Sequence, residues 1–168
     1  MIKFSTEECK LIIKLAKSYS RKHSSTLFNN ESIDYFYYCI IREDKSQWIF
    51  DRVKDYLNSD YPDNTANLMP EIYVHQYPTG CKFSLHRDDV KYPDQVLNVG
   101  TALNDDYLGG EFVLHKPFLI LDKIPGSIYN MKASRPHEVY EITEGERWSM
   151  IIFFTREQLG ISKSLVWK

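Results

Sequence analysis

The chain has 168 residues, 43% of them hydrophobic and 26% charged, a balance that suits one ordinary globular domain with a real core and makes a second domain unexpected. Its 21 basic and 23 acidic residues give a formal charge of -2, so no strong global field draws it toward nucleic acid or anionic lipid. Three widely spaced cysteines, Cys9, Cys39 and Cys81, fit neither a disulfide framework nor a paired zinc site, and no apolar run approaches the roughly 20 residues of a membrane span; a cytoplasmic, untargeted chain with no membrane association is expected.

Ser5 followed by Glu8 reads as a capping box, and Ile12, Leu15, Ala16 and Tyr19 recur at helical spacing, which predicts a helix from near Thr6 to about Arg21. The polar stretch from His23 to Glu31 reads as a loop, and the aromatic and β-branched run from Ile33 to Ile41 as a strand. Ser46 then precedes a second amphipathic helix presenting Ile49, Phe50, Val53, Tyr56 and Leu57, which the Asn58 to Asn67 stretch should end.

From Glu71 the texture changes to short β-type runs broken by Gly and Pro: Ile72 to Tyr77, Lys82 to His86, Val96 to Asn104, Gly110 to His115, Phe118 to Leu121, Ser127 to Met131, His137 to Ile142 and Arg147 to Phe154. About eight short strands with turn signals point to a sandwich, barrel or jelly roll, with the two leading helices covering one outer face. The chain therefore divides into helical support over about 1–68 and a β core over about 71–155 of a single domain, with no internal repeat or linker.

His86 and Asp88 stand two apart at the end of a predicted strand, where the two-residue period points both side chains to one face. A third ligand must come from elsewhere, and His137 is the best candidate because it opens a later strand just after Pro136. Two imidazoles and one carboxylate on one side of a metal leave positions open, the arrangement of non-heme iron(II) oxygenases.

The surrounding residues resemble the prolyl-4-hydroxylase-like branch of the iron(II)/2-oxoglutarate oxygenases over roughly Ile72 to Phe154. Tyr77, Gly80, Phe83, His86 and Asp88 stand at the Y-x-x-G-x-x-F-x-x-H-x-D spacing. Leu103-Asn104, Tyr107 and Gly109-Gly110-Glu111 are similar to an L-N-x-x-Y-x-G-G-E turn, and His137, Val139, Thr143, Gly145 and Arg147 to an H-x-V-x-x-I/V-T-x-G-x-R pattern. Three matches in order are far more specific than any one of them. The resemblance implies a mainly β fold of α+β composition, a double-stranded β-helix of the jelly-roll or cupin type with two supporting N-terminal helices. It implies iron(II) on His86, Asp88 and His137, with 2-oxoglutarate and O2 as co-substrates, and Arg147 holding the distal 2-oxoglutarate carboxylate as a charge-assisted pair. Tyr77 is the implied second co-substrate contact. Tyr73 and His75 share its face by alternation and would line the substrate mouth. An aromatic residue that supports the distal carboxylate in many relatives is replaced by Ala102, leaving Asn98 or Thr101 to compensate.

Each role has a plainer structural reading: Arg147 as a surface ion pair with Glu144 or Glu146, Tyr77 as a core aromatic, and His75 as a satisfied strand histidine. Gly109-Gly110 reads as a turn rather than a phosphate cradle, since no helix pattern follows it. His86-Arg87-Asp88 spells the kinase catalytic triplet, but Pro93 stands where that motif needs asparagine and no glycine-rich loop precedes it.

The expected activity is a 2-oxoglutarate-dependent dioxygenase that hydroxylates a C–H bond and releases succinate and carbon dioxide. A peptidyl side chain such as proline is the leading substrate, ahead of a free amino acid, another small molecule or a nucleobase. The competitors are a zinc hydrolase on the same ligands and a catalytically silent jelly-roll metal-binding module. A peptide, protein or small-molecule partner is expected and nucleic acid is not; the pattern carries no signal of oligomeric state.

Overall fold

The structure, a computed structural model, describes residues 3–20, 22–28, 32–41, 46–57 and 71–159. Helix α1 (Thr6–Lys17) begins where the sequence places it. The Ser5 hydroxyl accepts from the Glu8 N–H at 3.1 Å while the Glu8 carboxylate accepts from the Ser5 N–H at 2.7 Å, so two orphan donors of the first turn are satisfied reciprocally. The helix ends at Lys17 rather than near Arg21, because the Ser18 amide and hydroxyl both turn back onto the Leu15 carbonyl.

The expected loop from His23 to Glu31 is corrected to a strand over most of its length. Strand β1 (Lys22–Phe28) forms an antiparallel hairpin with β2 (Ser32–Ile41) from Lys22↔Tyr38 to Phe28↔Ser32. Polar composition marks solvent contact, not loop conformation, and an outermost strand needs only its ladder of backbone bonds. Helix α2 (Gln47–Leu57) buries Ile49, Phe50, Val53 and Leu57, as its spacing predicts; the Asn58 to Asn67 stretch lies outside the described residues.

The remaining chain is β: β3 (Ile72–Pro78), β4 (Phe83–His86), β5 (Gln95–Ala102), β6 (Leu108–Gly109), β7 (Phe112–Leu114), β8 (Leu119–Leu121), β9 (Ile128–Lys132), β10 (His137–Val139), β11 (Ile142–Glu144) and β12 (Glu146–Thr155). These strands follow the sequence expectation closely, except that the His137 to Ile142 run splits into β10 and β11 and a short β6 precedes β7. A six-stranded sheet in the order β1-β2-β3-β12-β5-β9 faces a four-stranded one in the order β4-β10-β7-β8, and β11 pairs β6 in a separate ribbon. The architecture is the mainly β jelly roll that the motifs imply.

Alternation along the strands sorts two cores. Ile72, Val74, Leu97, Val99, Met150, Ile152 and Phe154 point outward and pack against Ile12, Ala16, Ile49, Phe50 and Val53 of the two helices. Each such aliphatic side chain contributes about 1.5 to 3 kcal/mol on full burial, so this layer fixes the helices behind the large sheet. The opposite face sends Tyr77, Met131 and Ile151 against Phe112, Leu114 and Val139 of the small sheet. The space between the two sheets holds the polar residues described next. The turn between β6 and β7 depends on glycine: Gly109 has φ +70°, and a Cβ there would lie 2.2 Å from the Glu141 carbonyl oxygen.

Candidate active site

His86 ends β4 and His137 opens β10, and the two are direct antiparallel partners. Their rings lie 4.2 Å apart, centroid to centroid. Asp88, in a short 3-10 turn just after β4, sets one carboxylate oxygen 3.5 Å from His86 Nε2 and the other 3.5 Å from His137 Nε2. The ligand-type atoms of all three lie within 4.8 Å of one another.

The imidazole tautomers follow from their partners. His86 Nδ1 lies 2.7 Å from the Ser84 carbonyl and His137 Nδ1 lies 2.9 Å from that of Arg135. A carbonyl only accepts, so each Nδ1 carries a proton and each ring turns its Nε2 edge toward the Asp88 carboxylate. Two imidazole nitrogens and a carboxylate turned to one point form a donor set that fits a divalent metal. Burial pushes His137 below the ordinary imidazole range, opposed by the Asp88 charge. Burial alone would raise Asp88, but His86, the charge of His137 and the Asn98 amide hold its carboxyl below the usual range. Both groups thus stay in the metal-binding form at neutral pH.

Asn98, on the inner face of β5, donates its side-chain amide to the second Asp88 oxygen. It is therefore committed to Asp88 rather than to the neighbourhood of Ala102. Thr101 is likewise ruled out, because it faces the helix layer with Val99 and donates to the Ala102 carbonyl at 3.1 Å.

One cavity opens onto the triad and a second lies on the far side of Phe112. The larger, about 640 Å³, is lined by His86 and Asp88 and walled by Phe36, Tyr38, Tyr73, His75 and Phe153, with Arg87, Lys91 and Tyr92 at its rim. Tyr73 and His75 thus line the cavity that reaches His86 and Asp88. The Tyr73 hydroxyl donates to Glu71 at 2.6 Å, and its pKa is raised by burial and by that carboxylate. Desolvation and the Arg147 charge push His75 down to about 3, so it is a neutral imidazole. Phe36 and Tyr38 escaped the sequence reading; both lie on β2, and only the pairing of β2 with β3 brings them here.

The smaller cavity, about 160 Å³, is lined by Ala102, Tyr107, Phe112, Tyr129 and Arg147 among others. Phe112 joins it to the metal end, its ring 5.6 Å from that of His137. Arg147 is 5% exposed, which removes the reading of a surface ion pair, and Glu146 instead accepts from Gln76 and Trp148. The Arg147 guanidinium lies 5.2 Å over the Tyr77 ring and donates from Nη1 to the Ser149 hydroxyl at 2.8 Å. Its Nε is buried and has no hydrogen-bond partner among the described residues. A buried guanidinium N–H without a partner is costly, and a carboxylate bound beside it would satisfy it. Tyr77 is fully buried, its ring under Arg147 and its hydroxyl 3.5 Å from His75 Nδ1. His115, by contrast, pairs with Glu138 at 2.8 Å on the small sheet and takes no part.

No protein-family model matches the sequence, and no curated protein matches it. Solved structures do match. An oxidoreductase of the 2OG-Fe(II) oxygenase family from Burkholderia pseudomallei superposes with a TM-score of 0.75 at 19% identity, over 91% of this chain and 81% of that one. A viral collagen prolyl hydroxylase from Paramecium bursaria Chlorella virus 1, solved as a 2OG complex, gives 0.64 at 14% identity over 89% of each chain. A Trichoplax adhaerens prolyl hydroxylase in complex with a hypoxia inducible factor peptide fragment gives 0.68 at 19% identity, over 95% of this chain and 81% of that one. The fold is that of the 2OG-Fe(II) oxygenases and prolyl hydroxylases.

Proposed function

We propose that this protein is an iron(II)- and 2-oxoglutarate-dependent dioxygenase that hydroxylates a substrate C–H bond, with a peptidyl side chain such as proline as the leading substrate. The observation that carries the reading is the pairing of two unlike sites in one barrel. A His86–Asp88–His137 cluster with both Nε2 atoms turned to Asp88 stands at one end, and the unpaired Nε of buried Arg147 at the other. A hydrolytic metal site has no use for a buried guanidinium in a separate pocket; a dicarboxylate co-substrate does.

In this reading His86, Asp88 and His137 hold the iron, Arg147 holds the distal carboxylate, and Tyr77 supports Arg147 from below. Bound there, iron(II) would couple the four-electron reduction of O2 to two two-electron oxidations, that of 2-oxoglutarate to succinate and carbon dioxide, which takes one oxygen atom, and that of the substrate C–H bond to C–OH, which takes the other. The chain's own part is placement. Asn98 fixes Asp88, the two backbone carbonyls fix the imidazoles, and the apolar walls of Phe83 and Phe112 limit water around the cluster.

Tyr73 and His75, with Phe36, Tyr38 and Phe153, form the substrate wall. Its width and aromatic lining suit a prolyl ring or an extended peptide, and the peptide-bound Trichoplax structure of the same fold supports that ranking. We place the whole chain, 1–168, in one oxygenase domain. A cytoplasmic setting is supported by Cys9, Cys39 and Cys81, which are buried and form no disulfide, and no helix among the described residues is long and apolar enough to cross a membrane.

The test is an anaerobic titration of the protein with iron(II) and then 2-oxoglutarate, followed by admission of air with proline-containing peptides. The expected results are the weak visible charge-transfer band of a keto-acid chelate and peptide-stimulated succinate with a 16-dalton gain on the peptide. Iron that binds while the band and succinate both fail to form would overturn the reading in favour of a silent binding module.

A further inference from the structure

We propose that the Tyr129 hydroxyl is the second donor, beside Arg147, to the far carboxylate of a dicarboxylate held in the inner pocket. The proposal rests on reading that pocket as the 2-oxoglutarate site.

The inner face of β5 carries Asn98, Gly100 and Ala102 in alternation. Asn98 belongs to the metal end, through its bond to Asp88. Gly100 is the direct partner of Tyr129 on β9 and of Ile151 on β12; Ala102 is the direct partner of Ser149 on β12. Residues opposite one another in an antiparallel pair project from the same face, so Tyr129, Gly100 and Ala102 all look into the space between the sheets.

The absence of a side chain at position 100 determines where the phenol goes. A Cβ on Gly100 would lie 2.4 Å from the Tyr129 hydroxyl oxygen, so the ring leans across β5 through the volume that any larger residue would fill. From the other side, Arg147 reaches along β12 to Ser149, the residue opposite Ala102. The phenol and the guanidinium therefore approach each other from two strands over a floor of the two smallest residues of β5. Both line the same 160 Å³ pocket, as does Ala102.

Each is short of a partner. The Arg147 Nε is buried without one, and the Tyr129 hydroxyl makes no hydrogen bond among the described residues. Burial raises the Tyr129 pKa to about 12 against the opposing Arg147 charge, so at neutral pH the phenol offers a proton rather than an anion. One cation and one neutral O–H donor converging on one pocket complement a carboxylate. This also explains how the chain manages with Ala102: the hydroxyl arrives from the neighbouring strand, through the gap at Gly100, instead of from position 102 itself.

The experiment is an anaerobic calorimetric titration of the manganese(II)-loaded protein with 2-oxoglutarate and, separately, with oxalate. Oxalate offers the metal a chelating pair of oxygens but has no distal arm. Tyr129→Phe keeps the ring and removes only the hydroxyl, and should weaken 2-oxoglutarate by about 10-fold or more while leaving oxalate unchanged. Gly100→Ala keeps the hydroxyl but displaces it, and should weaken 2-oxoglutarate in the same selective way. Unchanged 2-oxoglutarate affinity in Tyr129→Phe, or equal losses for both ligands, would overturn the assignment of Tyr129. Wild-type protein that binds oxalate but not 2-oxoglutarate would overturn the reading of the pocket itself, and the proposal with it.

Discussion

His86 and His137 face each other across β4 and β10, and each donates its Nδ1–H to the carbonyl two residues upstream in its own segment, Ser84 and Arg135. Two strands of opposite direction thus use the same local device to fix the same tautomer. The consequence is that both Nε2 atoms are committed to one point, where Asp88 presents an oxygen to each. What a metal would otherwise have to organise on binding is organised by backbone carbonyls beforehand.

Asp88 is held less directly, by the Asn98 side-chain amide. Asn98→Ala should leave all three ligands in place yet weaken metal binding by about 10- to 100-fold, the usual effect of losing an outer partner of a ligand. His137→Ala should abolish binding. Manganese(II) titration of the two variants checks this, and wild-type affinity in Asn98→Ala would show that the amide does not orient the carboxylate.

Arg147→Ala should separate the two ends of the barrel. The guanidinium touches Ser149 and lies over Tyr77 but contacts none of the three ligand residues, so metal affinity should be preserved. The 2-oxoglutarate affinity should fall by roughly 10- to 150-fold, the worth of a charge-assisted contact of about 1.5 to 3 kcal/mol. Calorimetry on the manganese(II) form reads both quantities; an unchanged co-substrate affinity in a folded variant would remove Arg147 from the anchor role.

The features that the sequence made legible are those whose geometry is local or spaced by a fixed period. Ser5 and Glu8 form a box within one turn, His86 and Asp88 share a face by strand spacing, and the outward aliphatics of β3, β5 and β12 alternate cleanly. What escaped depends on lateral register, which no single stretch records. Tyr129 matters because it lies opposite a glycine on another strand, and Phe36 and Tyr38 because β2 pairs β3. Asn98 was noticed for the wrong neighbour: its face was right, but only the fold shows that its end of β5 is the metal end. Strand β1 was lost to its polar composition, which at the edge of a sheet says nothing about conformation.

His75 makes stability depend on pH. Its folded-state pKa is depressed to about 3 while the unfolded imidazole titrates near 6.5, so below about pH 6.5 the unfolded state binds the extra proton and stability falls as pH falls toward 3. The slope approaches about 1.4 kcal/mol per pH unit for one such group, moderated by the water that reaches the cavity wall. Asp88 works in the same direction only below its ordinary value of 3.8, and His137 adds to the His75 window. Urea melts of the metal-free protein at pH 7, 6 and 5 should therefore show a decline that is shallower in His75→Gln; parallel declines would mean that His75 takes no share of it.

Peptides and small molecules should be turned over in preference to DNA, and the charges of the mouth give the reason. Nucleic-acid binding draws most of its strength from Lys and Arg at phosphates, and extracting a base from a duplex adds a few kcal/mol of unstacking. Of the cations lining the large cavity, Arg87 is held by Asp89 through two bonds of 3.0 and 2.7 Å, which leaves Lys91, whose ammonium lies over the Tyr92 ring. Glu71 and Asp88 line the same cavity with opposite charge. The basic residues Lys14 and Lys17 sit on α1, and that helix packs behind the large sheet, on the face away from the triad. The walls are instead aromatic, with Tyr38 stacked on Tyr73 at 6.0 Å and Phe153 edge-on to Tyr73 at 5.2 Å, surfaces that pack a pyrrolidine ring or another apolar side chain without needing charge. Succinate formation should accordingly be stimulated by proline-containing peptides or amino acids at physiological salt, and neither by single- nor by double-stranded oligonucleotides. Tyr73→Ala should raise the KM for that substrate while leaving uncoupled 2-oxoglutarate turnover in place. Selective stimulation by DNA, with an oxidised nucleoside recovered on digestion, would reverse the substrate ranking and leave the metal and co-substrate assignments standing.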